Sequence, residues 1–300
     1  MCCLFGLIDC DLRLTVKQKN GFIRALSVAA EGRGTDATGI AYNSGNRLQV
    51  YKRPWPARMM TFHIPQEASV VMGHTRMTTQ GNAKKNFNNH PFPGHVRGTA
   101  FALAHNGVLY NDKLLRRRLR LPGTRIETDS YIAVQLLQQK NALDFASLKY
   151  MAEQVEGSFS FTVLDSRNSL FIVKGDSPFC LYRFPALNLY AYASTEEILR
   201  EGLYCSNLFQ KAHYEIPLRC GDLLRIDTSG RMAWDRFDDS GLFSYMQYWH
   251  LSPPATGRTH LDEIKSVAAM FGYTPGDMDA LTDQGFSPEE LEELLYNGRF

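Results

Sequence analysis

Met1-Cys2-Cys3-Leu4-Phe5-Gly6-Leu7-Ile8 opens the chain, and the reading of this stretch decides the fold. Cys3 to Ile8 is an unbroken apolar run of strand length, the pattern of a strand buried on both faces. Cys2 stands just ahead of it. A side chain as small as cysteine permits removal of the initiator, which would leave a nucleophilic sulfur and a free α-amine on one residue. That amine titrates near about 7.7–8.0, close enough to neutral pH to accept a thiol proton and later hand it to a leaving amine. Taken alone, Cys2 and Cys3 read more simply as small apolar residues opening a buried strand. The remainder of the chain reverses that order.

The 300 residues are enough for one large or two modest domains with a real core. A hydrophobic content of 44% with 21% charged residues describes an ordinary globular protein, and a net charge of +2 offers no strong field for nucleic acid or a membrane surface. The dense basic cluster Arg116-Arg117-Arg118-Leu119-Arg120 reads as a solvated helix face near a turn rather than a phosphate site. No stretch approaches a membrane span, and the start lacks a basic-then-apolar signal pattern. Cys2, Cys3, Cys10, Cys180, Cys205 and Cys220 form no CxxC pair, which points to a reducing cytoplasm. His90 and His95 are the closest histidines, but no cysteine lies near enough in sequence to complete a zinc set, so no metal and no cofactor are expected.

Along the chain, Phe22, Leu26, Ala29 and Ala30 share one face of a helix that stops at Gly32 and Gly34. Gly39 to Tyr42 and Leu48 to Tyr51 form a hairpin around Asn43-Ser44-Gly45-Asn46. Val70 to His74 and Thr99 to His105 are strands, and Ser130 to Gln139 is a short helix starting after Thr128-Asp129. Phe159 to Val163 and Leu170 to Val173 alternate around a turn, and Leu187 to Tyr192 and Asp222 to Ile226 add strands. Many antiparallel strands with helices between particular pairs indicate α+β sheet layers sandwiched by helices. Residues 251–258 break the pattern as a linker, and 259–300 hold three short helical signals that cannot bury much by themselves.

Four blocks carry the chemistry: Gly32-Arg33-Gly34-Thr35-Asp36-Ala37-Thr38-Gly39; Gly73-His74-Thr75-Arg76-Met77-Thr78-Thr79-Gln80-Gly81; Asn88-Asn89-His90-Pro91-Phe92; and Leu103 to Asn111, with Asn106-Gly107 at its centre. Together with Cys2, Thr128-Asp129-Ser130 and Gly157-Ser158-Phe159, they resemble the glutaminase domain of class II glutamine amidotransferases, members of the N-terminal-nucleophile hydrolases. The resemblance runs from Cys2 to roughly Ile226. It implies a four-layer αββα sandwich of antiparallel sheets over residues 2–250, with the helical module as a tail.

The residues suit the chemistry that the resemblance implies. A thiolate attacking a carboxamide makes a tetrahedral oxyanion that needs fixed donors. Asn106 offers a side-chain NH₂ and Gly107 a backbone N–H with no side chain in the way, each such donor being worth about 2.7–4 kcal/mol in the transition state. Asn-Gly is equally the strongest short hairpin signal, and the strand Thr99–His105 would deliver such a turn to a sheet edge. Arg76 suits a substrate carboxylate through its forked donors, and Asp129 suits an ammonium, although a plain helix cap also explains it. Thr78 and Thr79 would add hydroxyls near Arg76. Arg33 would organise the N-terminal strand, with an ion pair to Asp36 explaining it nearly as well.

The chain also departs from the family pattern. Cys3 replaces the usual glycine after the nucleophile, Met77 a large aromatic and Gln80 a frequent histidine, so the cover over the substrate is expected to be looser or shaped for another compound. Beyond Ile226 no phosphate loop, sugar-isomerase or phosphoribosyl-transfer signature is found, although Phe243 to His250 is faintly similar to the exit strand of phosphoribosyl-transferring relatives. Three functions stay open. The chain is a subunit that hydrolyses glutamine and passes ammonia to a separate synthase chain, an amidohydrolase of a γ-glutamyl compound, or a non-catalytic binding or regulatory subunit. A homo-oligomer is possible in each case.

Overall fold

The apolar run at the chain start forms β1 (Cys3–Asp9), and every residue in it is buried. In the computed structural model the described residues are 2–206, 208–242, 261, 264–265, 268, 273–287, 290–291 and 294. The side chains of β1 alternate between two cores, as a strand covered on both faces requires. Cys3, Phe5 and Leu7 join one cluster with Phe22, Ile23 and Leu26 of α1 (Val16–Ala29) and with Leu199 and Leu203 of α5 (Glu196–Tyr204). Leu4 and Ile8 point the other way, into a cluster with Ala102, Ala104, Leu164 and Ile172. Gly6 lies between them because a Cβ there would meet the Val71 carbonyl oxygen at 2.3 Å.

Two antiparallel sheets face each other across this second cluster. The first contains β1 with β2 (Ala37–Ser44), β3 (Arg47–Arg53), β4 (Val70–Arg76), β9 (Cys180–Phe184), β10 (Leu189–Ala193) and β11 (Tyr214–Glu215). Its order is β11-β9-β10-β1-β4-β2-β3. The second contains β5 (Phe92–Val96), β6 (Thr99–Leu109), β7 (Gly157–Asp165), β8 (Leu170–Lys174), β12 (Asp222–Ile226) and β13 (Met232–Arg236), in the order β13-β12-β8-β7-β6-β5. Its outer face packs on Ile132, Ala133 and Leu136 of α3 (Tyr131–Lys140) and on Leu148 and Met151 of α4 (Phe145–Gln154). A short α2 (Asp112–Arg118) carries the basic cluster, with Leu115 buried and Arg117 and Arg118 exposed. Helix, sheet, sheet, helix: the layers are the expected αββα.

Two local expectations change. The hairpin between β2 and β3 turns on Gly45 and Asn46 alone, both with positive φ, and Asn43 and Ser44 are paired inside the strand. A two-residue turn with left-handed residues matches the twist of the flanking strands better than a longer loop. Asn106-Gly107 is not a turn. Strand β6 runs through it to Leu109, with Asn106 opposite Ser160 and Gly107 opposite Phe159.

The end of β1 is tied to the start of α1 by a buried ion pair. Lys19 Nζ lies 3.8 Å from Asp9 Oδ2, both side chains fully covered, and donates to the carbonyls of Ala68 at 2.7 Å and Gln66 at 2.9 Å. Asp9 in turn accepts from the backbone N–H groups of Arg13 and Leu14. Every charge-bearing atom thus has a partner, the condition under which a buried pair is tolerated.

The chain divides into two compact units, Met1–Tyr245 and Met246–Phe300. In the second, α6 (Pro275–Asp283) begins with a capping box between Thr274 and Asp277, and Ser287 and Glu290 bond reciprocally in the same way. Ile264, Ala268, Met278 and Leu291 form a small buried cluster of its own. Leu261, Ile264, Lys265 and Ala268 are helical, within the first helix expected in the tail. The linker 251–258 and the stretch Phe243 to His250 lie outside the described residues. Among the described residues no helix is long and apolar enough to cross a membrane.

Candidate active site

Strand pairing decides where Cys2 lies. Cys3 sits opposite Thr75 in the β1–β4 ladder, so Cys2 falls beside the end of β4, where Arg76 and Met77 follow. The Cys2 thiol donates to the Met77 carbonyl at 3.4 Å, and Arg33 Nε donates to the Cys2 carbonyl at 3.0 Å. Asp36 takes a different partner, accepting the Thr78 N–H at 2.7 Å. Gly34 lets this segment pass close to β4, since a Cβ there would lie 2.4 Å from the Arg76 carbonyl carbon. Burial pushes the Cys2 thiol up from its ordinary range. The positive chain terminus, the Met77 contact and Arg76 oppose that rise, and Asp129 adds to it. Cys2, Arg76 and Asp129 therefore lie within electrostatic reach of one another.

Arg76 is buried, and its guanidinium is held from two sides. Nη1 donates to Asn89 Oδ1 at 2.7 Å and Nη2 to the Gln80 carbonyl at 2.6 Å. Burial lowers its proton affinity, a drop that the acidic groups at Cys2, Asp129, Asp36 and Glu127 only partly oppose. The loop that supplies Asn89 and Gln80 is itself clipped to the segment before α3. Asn88 Nδ2 donates to Glu127 Oε2 at 2.8 Å and Asn88 Oδ1 accepts the Glu127 N–H at 2.9 Å. The Thr78 hydroxyl is buried without a partner, whereas Thr79 is exposed.

Asp129 is not a helix cap. Its Oδ2 accepts the Leu109 N–H at 2.6 Å, so the carboxylate is bonded to β6, the strand that carries Asn106 and Gly107. The residue at the cap position of α3 is Ser130, which makes no side-chain cap bond. Its hydroxyl lies 2.8 Å from His105 Nδ1 and 3.4 Å from Asp129 Oδ1. Burial holds His105 down at about 4, so its ring is neutral at physiological pH. Its Nε2 faces the Ser158 carbonyl at 3.3 Å and must carry the proton, which leaves Nδ1 as a bare acceptor. The Ser130 hydroxyl therefore has His105 Nδ1 as its nearer acceptor, and its longer contact to Asp129 Oδ1 leaves that oxygen able to accept from another donor. Burial raises the Asp129 carboxyl above its usual range, against the pull of the Leu109 and Ser130 N–H groups and Arg76. Such a group gains from the arrival of a cation.

Gly107 has φ +133°, and a Cβ on it would lie 1.9 Å from the Ser158 carbonyl oxygen. No side chain fits there. Asn106 is buried, with Nδ2 3.3 Å from Ser194 Oγ and Oδ1 without a partner. His74, His90 and His105 cluster behind, with His74 and His90 ring centres 4.2 Å apart. Burial depresses all three, His74 to about 3, so none acts as an acid or base near neutrality. Among the described residues no group of three or more His, Cys, Asp or Glu could hold a metal ion.

Comparison with known proteins bears on this geometry. A family model described as a glutamine amidotransferase domain matches residues 74–201, which include Arg76, Asn106, Gly107 and Asp129. Residues 74–201 are a glutamine amidotransferase domain. The chain is 31% identical over 156 residues to the glutamine–fructose-6-phosphate aminotransferase (isomerizing) of Bacillus thuringiensis subsp. konkukian, covering 49% of this chain and 26% of that protein. It is 30% identical over 190 residues to the enzyme of the same name from Sulfurisphaera tokodaii, covering 59% of this chain and 31% of that one. The chain thus spans under a third of the curated relatives it matches. The fold is also that of glutamine phosphoribosylpyrophosphate amidotransferase from B. subtilis, with a TM-score of 0.61 at 17% identity over 79% of this chain and 49% of that one. Sequence reasoning assigns no role to two residues of this candidate site, Asn89 and Ser194. Asn89 lies in the segment Asn88–Phe92, but nothing in its spacing says that it grips Arg76. Ser194 had no local signal at all.

Proposed function

We propose that this domain hydrolyses the side-chain amide of glutamine through Cys2 and passes the ammonia to a separate synthase chain. What supports the proposal is that a buried arginine and a buried carboxylate both act electrostatically on one thiol, and that this carboxylate is bonded to the strand that carries Asn106 and Gly107. A cation and a carboxylate near the same thiol suit the two charged ends of a free amino acid.

In this reading, removal of Met1 frees the Cys2 amine. Because burial keeps the thiol protonated, attack needs a proton acceptor at the sulfur, and the amine of the same residue is matched to that task at neutral pH. Sulfur adds to the γ-carbonyl while Asn106 Nδ2 and the Gly107 N–H stabilise the oxyanion. The intermediate collapses to a γ-glutamyl thioester as the protonated amine returns its proton to departing ammonia. Water then adds, and glutamate leaves with the sulfur reprotonated. Arg76 holds the α-carboxylate and Asp129 the α-ammonium, with the Thr78 hydroxyl as a further donor. Thr79, being exposed, has a lesser part. Arg33 fixes the backbone of the nucleophile.

Incubation with glutamine, measuring glutamate and ammonia, tests the reading directly. A set of γ-glutamyl amines run in parallel tests the second reading, an amidohydrolase of a larger compound. Preferential release of a larger amine supports that reading, and no turnover of any substrate supports a binding role instead.

A further inference from the structure

Ser194 takes no part in the chemistry above, yet it sits where the two sheets meet at the site. It follows β10 directly, is fully buried, and precedes Thr195, the cap of α5. Because Phe5 pairs with Ala193, Ser194 falls opposite Leu4. Its N–H donates to the Leu4 carbonyl at 2.8 Å, as the ladder requires, but the return bond is displaced. The Leu4 N–H donates to Ser194 Oγ at 2.8 Å, and from the opposite sheet Asn106 Nδ2 reaches the same oxygen at 3.3 Å. One hydroxyl therefore joins the strand that carries the nucleophile to the side chain that would hold the oxyanion.

Counting protons shows which way the Asn106 amide must turn. With Nδ2 toward Ser194, the hydroxyl oxygen receives two N–H groups, its own proton has no acceptor among these atoms, and Asn106 Oδ1 is buried without a partner. Buried polar groups left in this way are costly. A half-turn of the carboxamide exchanges its nitrogen and oxygen at nearly the same positions. Leu4 N–H then donates to Ser194 Oγ, the Ser194 O–H donates to Asn106 Oδ1, and the Asn106 NH₂ becomes the unengaged end. Cys3 is the other group facing Ser194. Its thiol donates to the Leu4 carbonyl at 3.2 Å, and burial pushes it up to about 11, with the Ser194 N–H and hydroxyl opposing. A protonated thiol is a weak acceptor, so the hydroxyl proton remains for Asn106.

We propose that Ser194 is a positioning residue that donates its hydroxyl proton to Asn106 Oδ1 and so aims Asn106 Nδ2 at the oxyanion. This rests on the glutamine hydrolysis proposed above and adds a residue to it. The test is a double-mutant cycle with Ser194→Ala, Asn106→Ala and the pair, measured by glutamate release. Ser194→Ala should lower kcat by about 10- to 100-fold, less than outright loss of an oxyanion donor, with KM within about twofold. In the Asn106→Ala background it should cost nothing further, because the residue through which it acts is gone. A role confined to holding β1 would lower kcat equally in both backgrounds. Should Ser194→Ala fail to fold, Ser194→Cys keeps the size and a weak donor and should give an intermediate kcat. An unchanged kcat in Ser194→Ala, or additive losses in the pair, overturns the positioning role while leaving the function intact. A wild-type chain inert toward glutamine overturns the function and this role with it.

Discussion

Replacing Asp129 with asparagine separates recognition from folding more cleanly than other changes at this site. The substitution keeps shape and bonding: an amide oxygen accepts the Leu109 N–H now bound at 2.6 Å, and the amide nitrogen faces Ser130 Oγ, now 3.4 Å from Oδ1. What is lost is one negative charge beside the substrate ammonium. At about 4 Å and an effective dielectric near 20 that attraction is about 4 kcal/mol. Allowing for retained polar contacts, a loss of about 2–4 kcal/mol raises KM roughly 30- to 900-fold, with kcat changed far less because the ammonium is remote from the reacting carbon. Stability moves the opposite way. The folded carboxyl is raised above its unfolded value by burial, so the folded state holds the proton more tightly, and the charged form costs stability at every pH above the folded pKa. That cost fades as pH falls through the folded value and is gone below the unfolded one. Asp129→Asn should therefore melt higher than wild type at pH 7.5, with the gap closing toward pH 4. Steady-state kinetics on glutamine and thermal melts across that range are the assays. An unchanged KM, or a variant less stable at neutral pH, refutes the reasoning.

Further outcomes follow from the same geometry. Arg76→Lys puts a point charge where a fork spans Asn89 and the Gln80 carbonyl, and should raise KM by about 10- to 100-fold with a small effect on kcat in the same assay. Gly107→Ala forces a Cβ to 1.9 Å from the Ser158 oxygen at φ +133°. It should lower kcat by at least about 100-fold and, through strain of about 1–3 kcal/mol or more, depress the melting temperature. Lys19→Met leaves the buried Asp9 without its cation and two carbonyls without their donor, and should cost about 3–5 kcal/mol in denaturant unfolding without changing KM where the protein stays folded.

The sequence made legible those parts of the fold whose pattern is local. The run Cys3–Ile8 and the alternating Phe159–Val163 each carry their own signal, and each lies in a strand where one was read. Asn106-Gly107 misled because the dipeptide that favours a hairpin turn also permits a positive-φ kink, and pairing with β7 over its whole length chose the kink. Asp129 looked like a helix cap because its position says so, but the nearest unpaired donor belonged to Leu109, far away in sequence. The grip of Asn89 on Arg76, and the meeting of Ser194 with Asn106 across 88 positions, are tertiary facts with no periodicity to betray them. Lys19 is the same kind of case, a buried charge on an otherwise ordinary helix face, made tolerable only by Asp9 and two carbonyls.

The claim on which the account turns is that Cys2, with its own amine exposed, is the nucleophile. Intact mass before and after treatment with the glutamine-like electrophile diazo-oxo-norleucine, followed by peptide mapping, tests it most directly. The account predicts a chain lacking Met1 that takes up a single adduct on Cys2, an adduct suppressed by excess glutamine and absent from Cys2→Ala. Glutamate production by a chain that retains Met1, or an adduct placed on any other residue, would contradict it.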